Sequence, residues 1–492
     1  MNRQIRRLGV AMVLLFVILF VAVNIIQVYG APKISNNAAN PRLITQSFDV
    51  ARGEILAADG RTVLARSIDT GRRLRFQRRY PIGPLFAHIT GFFSVKCGIS
   101  RLESTYNDYL GAKSNDLLGS TLKDLILNQP KRGASVITTI DPKLQQVAFD
   151  ELSKVAPHGG AVVALDPSTG EVKAMVTIPQ YDPNSLTQPN LDRQESACKR
   201  ITDAPDDPLL SNATDQLYPP GSTFKLIDLS AALEHGMTLQ TRFPNPAILD
   251  LPQTTVNLQN FGGEHCAGGA PTITLEQALI ESCNVTFAEL GLRLGPQVLF
   301  DQSNAYGFDQ HIPFDIPFNE GSFPPPSAFQ DREAAVAFSA IGQFDVKANP
   351  LQMALVSAAI ANGGVQMQPH LVSRIVGPDG QVLQTFSPSV FGQPISQTTA
   401  SEMTQAMVEV VNQGTGTAAR IPGVSVAGKT GTAQTAGGAP HAWFTCFAPA
   451  DNPQIAVAVV VLNGGTLASE ATGGQVAAPV ARAVVEAALA GQ

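Results

Sequence analysis

Leu8–Tyr29 contains no charged side chain, and Arg3, Arg6 and Arg7 stand directly before it. At ~1.5 Å per residue such a run makes a helix of roughly 33 Å, enough to cross a hydrocarbon core of about 30 Å. Basic residues flanking a span stay in the cytoplasm, so the chain is expected to be single-pass in the cell membrane with its N-terminus inside. Val28 and Gly30 before Ala31 could pass as a signal cleavage site. The apolar segment of a signal peptide is shorter, roughly 7–15 residues, which favours an uncleaved signal-anchor. Either way, everything after about residue 35 is exported to the extracellular or periplasmic side.

Composition narrows what that exported part can be. At roughly 150 residues per domain, 492 residues suggest two to four units. With 44% apolar and 15% charged residues, the chain can bury a large core. Lys and Arg number 34 against 40 Asp and Glu, a net charge of −6, which argues against a nucleic-acid binder. The five Cys form no C-x-x-C pair and the seven His no cluster, so no metal site is expected.

The pattern divides the chain into a tail and anchor (1–34), a small β-containing module (35–156) and a large α+β domain (157–492). In the small module, Gly53–Leu56 and Thr62–Ala65 flank the turn Asp59-Gly60. Arg72, Arg73, Arg75, Arg78 and Arg79 read as a solvated face, or as a contact with anionic lipid or wall polymer. Thr139-Ile140-Asp141 before Pro142 predicts a strand end and a helix start, with the helix Lys143–Val155 linking the two modules. Gly160–Leu165 and Val172–Thr177 predict a hairpin. Helices fit Thr223–His235, Leu275–Glu281, Val285–Leu294, Ala334–Ala340, Pro350–Asn362, Thr398–Asn412 and Ala477–Ala490. Strands fit Val424–Gly428, Ala442–Ala448 and Ile455–Leu462. Strands at both ends with helices between predict an antiparallel sheet built from the two ends of the domain.

Three short patterns carry chemistry. Ser222 and Lys225 are one helical turn apart, so a neutral Lys225 can take the Ser222 proton, and the Ser222 N–H at a helix start can face an oxyanion. In Ser282-Cys283-Asn284, a hydroxyl can relay a proton and an amide can hold a peptide. In Lys429-Thr430-Gly431-Thr432, a cation favours a carboxylate and crowds Lys225, Gly431 permits close approach, and Thr432 offers a second oxyanion N–H. Alone, each pattern reads as ordinary helix-cap or strand-end chemistry. Together and in this order, S-x-x-K, S-x-N and K-T-G match the signatures of penicillin-binding proteins and serine β-lactamases.

The resemblance extends to GAVVALDPSTGEVKAM (160–175), YPPGSTFK (218–225), VAGKTGTAQ (426–434) and HAWFTCFAP (441–449). The segments Arg52-Gly53-Glu54-Ile55, Tyr80-Pro81-Ile82-Gly83 and Gly98–Tyr106 resemble the N-terminal pedestal, or dimerisation-like, module of class B penicillin-binding proteins. The resemblance implies a penicillin-binding transpeptidase fold and a serine-type D-Ala-D-Ala transpeptidase that cross-links peptidoglycan stem peptides from lipid-linked precursor. It implies Ser222 as nucleophile, Lys225 as base and Ser282 as proton relay. Asn284 is then expected to hold the peptide, and Lys429, Thr430, Gly431 and Thr432 to bind the substrate carboxylate and oxyanion. β-Lactams are the expected inhibitors, no metal or organic cofactor is implied, and a membrane glycan polymerase with division or elongation proteins are the expected partners.

One departure stands out. Where many relatives read G-Q-G before T-P-L-Q, this chain has Gly342-Gln343-Phe344 before Ala348-Asn349-Pro350-Leu351-Gln352. A bifunctional synthase needs a longer N-terminal domain, and no deacylating group of a β-lactamase is evident. A D,D-carboxypeptidase shares the motifs and differs only in acceptor; a non-catalytic scaffold or a β-lactam sensor need not turn over. Export permits a disulfide, and Cys266–Cys283 would tie the Gly-rich stretch 262–269 to the helix end that carries Ser282. Cys97, Cys198 and Cys446 compete for the same partners.

Overall fold

The computed structural model describes residues 2–25, 47–71, 74–119, 124, 126–127, 130–251, 254–255, 257–436 and 438–491. Arg72, Arg73, the anchor end at Tyr29, the cleavage alternative at Ala31 and the boundary at 34/35 lie outside the described residues. The N-terminal helix runs Asn2–Ile25, and its stretch Arg3–Asn24 is long and apolar enough to cross a membrane, with none of it buried against the protein.

A five-stranded antiparallel sheet forms the centre of the large domain. Its order is Ala427–Ala433, His441–Ala448, Ile455–Val461, Gly160–Leu165 and Val172–Ile178, so the two ends of the domain do meet in one sheet. Side chains alternate between faces at a period of two. Val162, Ala164, Val457 and Val459 pack with Leu144, Leu152, Val480 and Val484 from the helices Pro142–Val155 and Ala478–Ala490. Ala161, Val163, Ala458 and Val460 face the other way, toward the main core that contains the buried helix Pro350–Ala361. Because both faces are covered, Ile455–Val461 reads as an unbroken apolar run rather than an alternating one.

Several boundaries follow local rules. Asp141 caps the helix Pro142–Val155 by accepting from the Lys143 and Leu144 N–H groups, with Pro142 in the first turn. The segment expected as Val285–Leu294 continues as Asn284–Ala305: the chain leaves helical geometry at Gly295 (φ 78°), and Pro296 opens the next turns. The strand expected at Val424–Gly428 instead spans Ala427–Ala433, with the Lys429 motif in its middle, because pairing with His441–Ala448 sets its bounds. The helix Leu191–Thr202, amphipathic but mostly charged and polar, is an addition.

The second large sheet crosses the expected boundary at 156/157. Its order is Val382–Thr385, Val372–Val376, Ser135–Thr138, Ile55–Leu56, Val63–Asp69 and Phe76–Arg79, so two strands from the large domain complete the sheet of the small one. The reading of the Arg stretch as solvated fails at Arg78. Its side chain is buried and ion-paired to Glu103, on the face it shares with buried Phe76, and only Arg79 at the strand end is exposed. Arg52 reaches the other Glu103 oxygen at 2.8 Å, and its guanidinium lies 4.0 Å from the Phe93 ring centroid. Cys97 pairs with Cys198 (Cα–Cα 5.7 Å), tying the two modules together, and Cys446 is buried and free.

Candidate active site

Ser222 sits in a one-turn 3-10 helix, Gly221–Thr223, directly before the helix Lys225–Glu234. Two glycines let this turn press against the strand Ala427–Ala433. A Cβ on Gly221 would lie 2.9 Å from the Thr432 carbonyl oxygen, and one on Gly431 would lie 2.8 Å from the Pro220 carbonyl oxygen. The Trp443 indole N–H donates to the Pro219 carbonyl at 3.0 Å and fixes the turn from behind. Side-chain-free contact at both glycines is therefore what brings Ser222 beside Thr432.

Ser282 ends the helix Leu275–Glu281 in the left-handed region (φ 60°), a conformation that costs a non-glycine residue roughly 1–3 kcal/mol and is typical of functional sites. That geometry turns its hydroxyl toward two lysines. Lys429 Nζ donates to Ser282 Oγ at 2.8 Å and to the Thr430 carbonyl at 3.0 Å. Lys225 Nζ donates to the Ser282 carbonyl at 2.8 Å, to Asn284 Oδ1 at 2.8 Å and more weakly to Ser282 Oγ at 3.4 Å. With its oxygen accepting from both amines, the Ser282 hydroxyl proton is free to point elsewhere. Among the described residues the Ser222 hydroxyl has no hydrogen-bond partner, and Ser222 is half-buried.

Both lysines are 0% exposed. Burial pushes the Lys225 ammonium well below its ordinary value; the Lys429 charge adds to this, and Asp228 opposes it. Burial alone brings Lys429 down to about 7. Asp228 cannot neutralise them: burial raises its carboxyl well above the usual range, and neither oxygen has a hydrogen-bond partner among the described residues. Among the described residues no carboxylate forms an ion pair with either of these close amines, the condition in which a lysine loses its proton near neutrality.

Two cavities open from Ser222. One, of about 560 Å³, includes Phe338, Ile341 and Phe344 in its wall. The other, of about 390 Å³, is lined by Thr430, Thr415, Thr472 and Gly473. Asn284 and Thr432 belong to both. Lys429 lies behind Ser282 rather than on either cavity wall, so of the Lys429-Thr430-Gly431-Thr432 motif it is the two threonines that face a ligand; Glu264, His265 and Glu281 also line the smaller cavity. Thr415 and Thr472 were missed by the sequence reading. The Thr415 hydroxyl hydrogen-bonds that of Thr430 at 2.6 Å, and the one sequence sign was the G-T-G turn (414–416) after a helix. Cys266 and Cys283 are joined with Cα atoms 6.3 Å apart, which tethers the Gly-rich stretch to the Ser282 turn.

Comparison with known proteins agrees with this geometry. The family described as "Penicillin binding protein transpeptidase domain" matches residues 160–486, and "Penicillin binding protein A dimerisation domain" matches residues 52–136. The chain is 40% identical over 99% of both lengths to the peptidoglycan D,D-transpeptidase PbpA of Mycolicibacterium smegmatis, and 39% identical over the full length of both chains to that of Mycobacterium tuberculosis. The ceftriaxone acyl-enzyme structure of M. tuberculosis penicillin-binding protein A superposes with a TM-score of 0.85 at 39% identity, covering 90% of this chain and all of that one. A D,D-transpeptidase domain from Eggerthella lenta gives 0.78 at 32% identity, covering 90% of this chain and 99% of that one. Motif order, site geometry and these matches agree, and the chain belongs to the class B penicillin-binding protein transpeptidases.

Proposed function

We propose that this chain is a membrane-anchored serine D,D-transpeptidase of peptidoglycan synthesis, acylated on Ser222 by stem peptides and by β-lactams. The observation that carries the reading is the Ser282 hydroxyl between Lys225 and Lys429, at the edge of the cavity that holds Ser222. Ser222 Oγ attacks the penultimate D-Ala carbonyl of a donor stem, and its proton passes to neutral Lys225. The N–H groups of Ser222 and Thr432 take the oxyanion. As the C–N bond breaks, the Lys225 proton reaches the departing D-Ala amine through Ser282, leaving an ester. An amine of a second stem attacks that ester, gives up its proton along the same path and restores Ser222. Thr430 and Thr432 meet the terminal carboxylate, Gly431 lets it close on the strand, Lys429 supplies positive potential from behind, and Asn284 holds the peptide.

The division 1–34, 35–156 and 157–492 is kept as anchor, pedestal and catalytic domain. It is supported by the two family matches, although the pedestal sheet borrows Val372–Val376. Arg3, Arg6 and Arg7 support a cytoplasmic N-terminus with the catalytic domain outside. A membrane glycan polymerase and division or elongation proteins are the partners that such an enzyme needs for its donor strands.

Peptide mapping after penicillin treatment of the intact protein is expected to find the adduct on Ser222, and Ser222→Ala to lose it while remaining folded. Mass spectrometry of products from a lipid-linked substrate is expected to show cross-linked dimers. Trimmed stems without dimers would make the enzyme a carboxypeptidase. Full support of growth by Ser222→Ala would make it a scaffold.

A further inference from the structure

Phe344 occupies the left-handed region at φ 61°, where a bulky side chain is a genuine outlier and glycine is at ease. The loop that carries it is fixed against the nucleophile. Gly221 N–H donates to the Gly342 carbonyl at 3.0 Å, and a Cβ on Gly342 would lie 2.1 Å from the Gly221 oxygen. The Phe344 ring remains 40% exposed, and it lines the same cavity as Ser222, beside Phe338 and Ile341. Its ring also meets that of Phe329, at 6.3 Å between centroids. Phe329 leads through Phe323 to Phe224, the residue between Thr223 and Lys225. A strained backbone that holds a half-wet ring in the mouth of a catalytic cavity points to a ligand contact rather than to packing.

The two cavities divide the substrate between them. Thr430, which lines only the smaller arm and has the Lys429 ammonium behind it, is where the terminal carboxylate was placed above, although Glu264 and Glu281 also line that arm. The acyl side of the scissile bond therefore extends from Ser222 into the arm lined by Phe338, Ile341 and Phe344. We propose that Phe344 is a specificity-determining residue for the acyl donor, favouring donors and β-lactams that place an aryl or bulky apolar group against its ring. The proposal rests on Ser222 acylation as described above.

The test compares acylation rates of the full chain with benzylpenicillin and with a penicillin that has an acetyl side chain, which keeps the amide and lacks the ring. Phe344→Gly and Phe344→Asn both accept φ 61°, so each removes the ring without forcing the backbone. The benzyl-to-acetyl preference is expected to fall about five- to tenfold in both, the size of an aromatic pair contact, and to be kept in Phe344→Tyr. An unchanged preference in both ring-less variants overturns the proposal while leaving the enzyme reading intact. Absence of any label on Ser222 in the unsubstituted protein overturns that reading, and the proposal with it.

Discussion

Two clusters of buried charge, one in the pedestal and one in the active site, are built on opposite rules. In the pedestal, Glu103 is 0% exposed and lies between two guanidiniums. Arg52 also donates to Asn107 Oδ1 at 2.8 Å, Arg78 to the Gly53 carbonyl at 2.7 Å, and the Tyr80 hydroxyl to Glu103 at 3.3 Å. Burial works to raise the Glu103 carboxyl, but Arg78 and Arg52 outweigh it and hold the group below its usual range. In the active site, Lys225 and Lys429 are equally buried and share Ser282, and Asp228, the carboxyl that acts on Lys225, is itself driven toward the neutral form. The first cluster is paired and fixes a shape. The second is left without an ion pair among the described residues, and burial, with Lys429 adding to it, lowers the proton affinity of Lys225, as the proposed base role requires. Buried charge therefore marks architecture where it is matched and chemistry where it is not.

The sharpest way to break this contrast is to remove Lys225. Lys225→Ala should lower the rate of β-lactam acylation about 10²–10⁴-fold, the usual worth of a general base, without lowering the unfolding midpoint. Stopped-flow labelling and thermal unfolding of the same preparation read both; near-normal labelling would remove Lys225 from the base role. Glu103→Ala should do the reverse. It strands two buried guanidiniums and is expected to destabilise the protein by about 3–5 kcal/mol in denaturant titration, while any folded fraction still labels Ser222. A loss well under 1 kcal/mol would mean that the pair is replaceable.

Lys429 sharpens the comparison with a smaller effect. Its charge lowers the proton affinity of Lys225, so in Lys429→Met the acid limb of the acylation pH profile should move to higher pH. Its own amine falls from an ordinary 10.5 to about 7 on folding, so between these values the unfolded chain binds more protons and stability rises with pH. The stability gained by Lys429→Met should thus be widest at and below about pH 7 and close toward pH 10.5. A pH-independent difference between the two proteins would show that Lys429 is not depressed.

The two clusters were also unequally legible in the sequence. Ser222 and Lys225 are three residues apart, the spacing that shares a helix face, whereas Ser282 and Asn284 are brought together by the left-handed turn between two helices and were legible only as a short motif. Arg52 and Arg78 reach Glu103 from 51 and 25 residues away, and no period links such separations. Arg78 looked solvated because it sits among other arginines; the strand Phe76–Arg79 is buried through Arg78 and opens to solvent only at Arg79. Phe344 was visible as a departure from a pattern, but the sign of its φ belongs to the folded loop. The join of Val372–Val376 to Ser135–Thr138 was unreadable for the same reason, since strand pairing at that distance is decided by the whole fold.

That join has a consequence in time. Ile55–Leu56 can pair with Ser135–Thr138 as soon as both have been made, but the outer edge of Ser135–Thr138 is completed only when Val372–Val376 arrives. At synthesis rates of about 5–20 residues per second, the intervening ~230 residues take roughly ten seconds or more to emerge. Through that interval the pedestal carries an open strand edge that can pair with another copy or be held by a chaperone. A fragment ending anywhere between Thr138 and Val372 keeps that edge open permanently, so the pedestal depends for its solubility on a domain made after it.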